Sequence, residues 1–289
     1  MTGRATAIAH GAATIVNAIA LGKGAAFGVD LWTTAEVQLT NDPKTFMIKI
    51  VSDPNENTLL VERTVVRVLE RFGLQDSYGA SIKTVSNIPA ARGLKSSSAA
   101  ANAVALATVS ALGEQLSDLE IVALGVQAAF DARCTITGAY DDACASYFGG
   151  VVLTDNTQRQ ILKQLPRPKD VMVLFHVPPK KAYTINSDVT RLHTIKPFAE
   201  TAFEKAKDGK LWEALTLNGL IYSAASNQNP AIAIDALAAG AVAAGLCGKG
   251  PAITAVTVND KVDAVKATLQ KYEGDVLVSK PSCEKAKVL

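Results

Sequence analysis

Histidine and cysteine are scarce in this chain, with 3 and 4 copies in 289 residues. Cys134, Cys144, Cys247 and Cys283 form no C-x-x-C pair and stand at no zinc spacing from His10, His176 or His193. A reduced, cytoplasmic protein with unpaired thiols is expected, and the histidines read as structural. An excess of one charge is also lacking. The 29 basic and 27 acidic residues leave a net charge of +2, which gives no field for recruiting nucleic acid or an anionic membrane. Long hydrophobic runs are missing too. The uncharged stretch between Arg4 and Lys23 is broken by His10, Gly11 and Asn17 and runs on into strand-like sequence, unlike a secretion signal. The Ala-rich run from Ala231 to Cys247 contains Asp235, Gly240 and Gly245, too polar for a membrane span. There is no low-complexity linker, charge block or internal repeat. Nor is there a Walker A loop, since no Gly-Lys-Ser/Thr follows a glycine at the required distance. The expected partners are small molecules.

What the chain does have is ample core material, 48% hydrophobic residues with 19% charged, enough for one large domain or two of ordinary size. It also has a loop suited to anions. In Ile88-Pro89-Ala90-Ala91-Arg92-Gly93-Leu94-Lys95-Ser96-Ser97-Ser98-Ala99-Ala100 a glycine and three serines open directly onto an alanine-rich helical run. Gly93 permits close backbone approach, the serines offer hydroxyls and first-turn N–H groups, and the helix dipole points its positive end at the loop. Lys95 adds a formal charge.

The patterning alternates between strand and helix. Thr14 to Val16, Phe27 to Leu39 and Phe46 to Val51 read as strands, Asn57 to Phe72 as a helix, and Ala80 to Val85 as the strand that feeds the serine loop. A helix of mostly Ala and Val follows from about Ser97 to Leu112, a composition that implies packing on several sides. Ser117 with Glu120 forms a capping-box pattern at the head of a helix reaching Arg133. Val151 to Thr154 is a strand, and Gln164 to Asp170, with Pro166 and Pro168, is a boundary. Beyond it lie strand Val171 to Val177, three helices between Pro197 and Ala239, strand Ile253 to Val258, helix Lys261 to Lys271 and strand Asp275 to Ser279. The order suggests a two-layer α+β architecture.

Three glycine motifs in one order carry a resemblance. The serine loop at Pro89 to Ala100 resembles the P-x-x-x-G-L-x-S-S-x-A phosphate loop of the GHMP kinases, the superfamily of galactokinase and the homoserine, mevalonate and phosphomevalonate kinases. Gly138-Ala139-Tyr140-Asp141-Asp142-Ala143, leading to Gly149-Gly150, resembles their G-x-x-D stretch, and Cys247-Gly248-Lys249-Gly250-Pro251-Ala252 their late glycine motif. Within the superfamily, His10 to Ile19 followed by Gly22 to Leu31, together with the Gly-Lys-Gly-Pro-Ala form of the late motif, is most similar to the archaeal-type shikimate kinases. The resemblance implies a two-domain α+β fold, with an S5-like N-terminal domain over 1–165 and a ferredoxin-like C-terminal domain over 166–289. It further implies transfer from ATP, with Mg²⁺, to the 3-hydroxyl of shikimate. Homoserine is the alternative acceptor, and a non-catalytic nucleotide-binding protein on the same fold is the reading from another class. Retention of both Asp131 and Asp141 favours the enzyme.

The same resemblance distributes the roles. Pro89, Arg92, Gly93, Leu94, Lys95, Ser96, Ser97, Ser98 and Ala99 are expected to hold the nucleotide phosphates, with Gly248, Lys249 and Gly250 closing on them or on the acceptor from the second domain. Ser97 and Asp131 are the expected Mg²⁺ ligands. Asn57 matches a position near adenine and reads equally well as a helix cap. Asp141 is the expected base toward the acceptor hydroxyl, although mevalonate-kinase-like spacing would select Asp142. Thr14, Asn17 and Asp30 are the acceptor contacts. A cation for the acceptor carboxylate is left among Arg133, Lys180, Lys181 and Arg191, and nothing in the sequence specifies an oligomeric state.

Overall fold

A computed structural model describes residues 3–181 and 189–289. The chain runs β1 (Arg4–Val16), β2 (Lys23–Thr40), β3 (Phe46–Ile50), α1 (Leu59–Arg71), β4 (Gly79–Ser86), α2 (Ser96–Leu112), α3 (Asp118–Asp131), α4 (Tyr140–Phe148), β5 (Val151–Asp155) and β6 (Gln160–Leu165). It continues through β7 (Val171–Val177), α5 (Val189–His193), α6 (Lys196–Lys207), α7 (Leu211–Ala225), α8 (Ala231–Ala238), β8 (Ala243–Leu246), β9 (Ile253–Val258), α9 (Val262–Leu269), β10 (Asp275–Ser279) and β11 (Lys287–Val288).

Two sheets organise these elements. The first has the order β11-β1-β2-β4-β3, with β5 on the leading half of β2 and β6 beside β5. Among the described residues only β3 and β4 pair in parallel, and α1 makes the crossover between them. The second sheet is antiparallel with order β10-β7-β9-β8. Renumbered from its own first strand that order is 4-1-3-2, the ferredoxin-like arrangement, with α5 to α8 and α9 as its connections. The passage between sheets falls between Leu165 and Val171, yet β11 returns from the far end of the chain to pair with β1. One buried cluster also draws from both sheets, joining Ile15 and Phe27 to Phe175 and Val256.

Local chemistry explains most of the elements. Ser117 accepts from the Glu120 N–H while the Glu120 carboxylate accepts from the Ser117 N–H, so the capping box forms as the sequence implies. Gly113, at φ 73°, ends α2 in the left-handed region. Helix α2 is buried almost all round against β1 and β2, as its Ala and Val composition demands. Several elements go beyond the sequence reading, β6, α5 and β11 among them, and three bear on the site. Strand β1 begins ten residues early because it is an inner strand covered on both faces, and such strands do not alternate. Strand β8 is an all-buried continuation of an Ala-rich run. Helix α4 occupies the G-x-x-D motif itself.

Candidate active site

The turn from β4 into α2 has an irregular backbone. Ala91, Gly93 and Lys95 all take positive φ, at 53°, 93° and 66°. Lys95 is the residue before the first turn of α2, and no side chain caps that turn. The N–H groups of Ser96, Ser97 and Ser98 therefore point out of the helix without an intrahelical acceptor, at the positive end of its dipole. A Cβ on Gly93 would lie 2.5 Å from the Cys247 carbonyl oxygen, so only glycine lets the late glycine loop close on this turn. Cys247 Sγ donates to the Gly93 carbonyl at 3.1 Å, and the Ala252 N–H to the Arg92 carbonyl at 3.1 Å.

These loops enclose a cavity of about 680 Å³, a volume typical of small-molecule sites. Thr14, Asn17, Asn57, Pro89, Arg92, Gly93, Lys95, Ser96, Ser97, Ser98, Asp141, Asp142, Gly248 and Lys249 all line it. Leu94 and Ala99 lie beneath, fully buried in the core. Gly250 faces away from it, with space for a Cβ only 2.5 Å from Gln228 Oε1. Asn57 both caps and lines, because its Oδ1 accepts from the Leu59 N–H at 2.8 Å.

The cavity has two ends. At one, a Cβ on Gly248 would lie 2.5 Å from Lys95 Nζ and 3.5 Å from Thr14 Oγ1, so those groups converge. Lys95 Nζ in turn pairs with Asp142 Oδ2 at 3.1 Å, both side chains nearly buried. Thr14 Oγ1 and Asp142 Oδ1 are buried there without a hydrogen-bond partner, an arrangement that a bound ligand would satisfy. At the other end, Asn57, Leu60 and Cys134 line the wall, with Glu56 close enough to Cys134 to add to the upward push that burial gives its thiol. Lys181 pairs with Asp53 at 2.6 Å and Glu56 at 2.8 Å on that side.

The two aspartates are held differently. Asp141 Oδ1 accepts from Asn156 Nδ2 at 2.8 Å, and Asn156 Oδ1 is itself fixed by Thr154 Oγ1 at 2.7 Å. A Cβ on Gly24 would overlap the Asp141 carboxylate. Burial, then repulsion from Asp142, pushes the Asp141 carboxyl up to about 7. Burial raises Asp142 as well, but Lys95 opposes it. For Lys95, burial works against the charge, yet Asp142 leads a group of neighbours that hold its pKa above the usual lysine value. Burial thus raises both carboxyls, and at Asp142 the Lys95 ammonium is what opposes the rise.

Two expected site residues lie elsewhere. Asp30 sits on β2 between inward-facing Val29 and Leu31, so the strand's period of two turns it out to solvent, where it pairs with Lys280 at 3.4 Å. Asp131 is not part of the cavity lining; both of its oxygens are taken by Arg67, at 2.6 and 2.7 Å. That hydrogen-bonded pair lowers the Asp131 pKa. Among the described residues no group of three or more His, Cys, Asp or Glu side chains is arranged to hold a metal. Ser97 does line the cavity at the helix start, and Mg²⁺ on a nucleotide needs only one or two protein oxygens beside the phosphates. Of the cations considered for the acceptor carboxylate, Arg133 and Lys181 line the cavity, Lys180 does not, and Arg191 donates to Asn227 Oδ1 at 2.6 Å. Asn156, Gly24 and Gln228 were not foreseen. Asn156 follows β5 in what reads as an ordinary turn, and nothing in its neighbours announces that it reaches back to Asp141.

Residues 59–150 match the family described as GHMP kinases N terminal domain. The shikimate kinase of Methanococcoides burtonii is 43% identical over 265 residues, covering 92% of this chain and 91% of that protein. That of Methanosarcina mazei is 44% identical over 279 residues, covering 96% and 94%. The chain belongs to the GHMP kinases, in the family of the archaeal shikimate kinases. The crystal structure of the Methanococcus jannaschii mevalonate kinase superposes with a TM-score of 0.78 at 14% identity, over 96% of this chain and 98% of that one. That likeness establishes the GHMP fold. Membership in a kinase family implies ATP as the phosphoryl donor and a small-molecule acceptor. No helix among the described residues is long and apolar enough to cross a membrane.

Proposed function

We propose that this GHMP kinase transfers the γ-phosphoryl group of ATP to the 3-hydroxyl of shikimate, with the nucleotide domain over 1–165 and the ferredoxin-like domain over 166–289. The observation that carries the reading is one cavity holding both an uncapped helix start and a buried aspartate pair, in a chain 43% identical along nearly its whole length to a protein called shikimate kinase. The first-turn N–H groups and hydroxyls of Ser96 to Ser98 take the triphosphate. Ser97 is the residue that would hold Mg²⁺, which neutralises charge on the phosphoryl group in transfer. Thr14 and Asn17 line the acceptor end. Asn17 is fixed there, its N–H donating to Asn218 Oδ1 at 3.0 Å and its carbonyl accepting from the Tyr222 hydroxyl at 2.9 Å. The acceptor oxygen attacks the γ-phosphorus, the bond to ADP breaks, and the hydroxyl proton passes to Asp141.

Asp141 suits that role because its pKa, about 7, lies near the working pH, while Asp142 keeps Lys95 in place. A second reading gives the proton to Asp142, favoured by its unpartnered Oδ1 beside Thr14. Asp141→Asn is expected to lower kcat by about 10²-fold or more with little change in ATP binding. A large loss in Asp142→Asn with near-normal Asp141→Asn reverses the two roles. Turnover of shikimate is expected to exceed that of homoserine by at least about 10³ in kcat/KM, since a flexible amino alcohol leaves buried polar groups unpaired. Equal turnover of homoserine or mevalonate in a coupled ADP-release assay would sink the acceptor assignment and leave the kinase fold standing.

A further inference from the structure

The turn between β1 and β2 forms part of the cavity wall, yet the sheet it belongs to does not hold it. Asn17, Ala18 and Ile19 line the cavity, whereas the β1-β2 ladder ends where Val16 pairs with Ala25. The backbone polar groups of the turn need partners from elsewhere. Three of them find side chains on α7, more than 200 residues further along the chain. The Asn17 N–H donates to Asn218 Oδ1 at 3.0 Å. The Tyr222 hydroxyl donates to the Asn17 carbonyl and accepts from the Ala20 N–H, both at 2.9 Å. Asn218 and Tyr222 stand one helical turn apart and are fully buried, so water does not compete for these bonds.

The Asn17 side chain is committed within the same turn. Its Oδ1 accepts from the Ile19 N–H at 2.9 Å, so the group it has left for a ligand is the Nδ2 donor, suited to a hydroxyl or carboxylate oxygen. Helix α7 also carries the late glycine loop. Gly219 of α7 and Gly245 of β8 pack backbone against backbone, and a Cβ on either would overlap the other. Just past the helix end, the Gln228 N–H donates to the Ser223 carbonyl at 2.9 Å while its Nε2 donates to the Lys249 carbonyl at 2.7 Å. One helix therefore mounts both the Asn17 wall and the late loop. The serine loop is carried by β4 and α2 instead.

We propose that Tyr222 is a positioning residue for the acceptor: acting through the Asn17 backbone, and with Asn218 beside it, its hydroxyl sets where the Asn17 amide meets the acceptor and takes no part in holding the nucleotide. The inference rests on the reading of the Thr14 and Asn17 end as the acceptor end of a shikimate kinase. It adds that this end is preset from the second sheet's side of the molecule before any acceptor arrives.

Tyr222→Phe removes one oxygen and keeps the ring in the core, so it is the variant that tests the idea in steady-state kinetics of the full chain. KM for shikimate is expected to rise about tenfold, with KM for ATP moving less than about twofold. Asn17→Ala should raise KM for shikimate by itself, and in that background Tyr222→Phe should add less than about twofold, because the side chain it positions is gone. Equal rises in both KM values, no rise in either, or an undiminished effect of Tyr222→Phe in the Asn17→Ala background would reduce Tyr222 to a core residue and overturn the inference while the shikimate reading survives. Should Tyr222→Phe fail to fold, amide hydrogen exchange of wild type decides. Without ligand, the Asn17 and Ala20 amides should exchange about as slowly as those of β1; free exchange that slows only when shikimate is added means that the acceptor, and not α7, sets the wall. Failure of wild type to phosphorylate shikimate at all removes the underlying reading, and the inference with it.

Discussion

Asp141→Asn is expected to abolish most turnover and yet to stabilise the fold above neutral pH, both from one cause. The Asp141 side chain is buried, with 3% of its surface exposed. Burial and then repulsion from Asp142 raise its pKa from 3.8 to about 7, against the opposing hydrogen bond from Asn156. A carboxyl whose pKa is higher folded than unfolded binds its proton more tightly in the native state. Its contribution to stability is complete below about pH 4 and is lost as pH rises through about 7. At about 1.36 kcal/mol per pH unit, the interval from 3.8 to about 7 amounts to about 4 kcal/mol of lost stability. Asparagine cannot ionise, and its side-chain oxygen can still accept from Asn156. Burying the amide returns about 1–2 kcal/mol of the gain, but that term does not vary with pH. The stability of the variant relative to wild type should therefore increase by about 2–3 kcal/mol between pH 5 and pH 8 and flatten above pH 8. Carboxylates other than Asp142, which is coupled to Asp141, are common to both proteins and cancel in the difference. Urea denaturation of both proteins across pH 5 to 8.5 measures it. A difference that stays constant over that range, or shrinks as pH rises, refutes the raised pKa and with it the choice of Asp141 as a base poised near neutrality.

Asn156→Ala removes the hydrogen bond that favours ionised Asp141, so the acid limb of the kcat profile should move upward from about pH 7; an unmoved limb means that another group titrates. Gly24→Ala places a methyl group against the Asp141 carboxylate, and kcat should fall by about tenfold or more with cooperative unfolding retained; wild-type kcat would show that the carboxylate has room to move. Asp131→Asn breaks a pair whose side chains are 27% and 35% exposed, so it should cost about 0.5–1 kcal/mol of stability and leave the Mg²⁺ dependence of turnover unchanged. A raised Mg²⁺ requirement would bring Asp131 back to the metal.

What could be read from the sequence was whatever chemistry is local. The anion loop announces itself because glycine, serines and helix are contiguous, and the capping box because Ser117 and Glu120 are three residues apart. The engagement of Asp131 was not legible for the opposite reason. Its partner Arg67 is 64 residues away, on α1, and a carboxylate near the end of a helix looks equally available to a metal until that guanidinium is seen beside it. Asp30 failed on register, since a polar residue among apolar ones marks a pocket or an outward face alike. Helix α4 was missed because the residues before it are irregular: Gly138 and Ala139 both take positive φ, at 84° and 47°, and they hide the helical run that carries both aspartates.

Lys95 joins the three loops of the proposed site. That residue ends the phosphate loop, takes the left-handed conformation that starts α2, and sends its ammonium away from the loop to Asp142 on α4. The charge that the sequence offers to the triphosphate is therefore spent largely on the carboxylate pair. Losing one partner of a buried ion pair leaves the other uncompensated, a cost of about 3–5 kcal/mol, so the loop that grips phosphate and the helix that carries the base are held to one geometry. The late glycine loop meets the same point through Gly248 and is locked to Gly93 by a contact only glycine permits. The proposed phosphate, base and acceptor loops thus come from β4-α2, α4 and β8-β9 and meet around Lys95 and Gly93. In the proposed reading, the distance between acceptor and γ-phosphate is consequently set by backbone packing between loops that come from the two sheets.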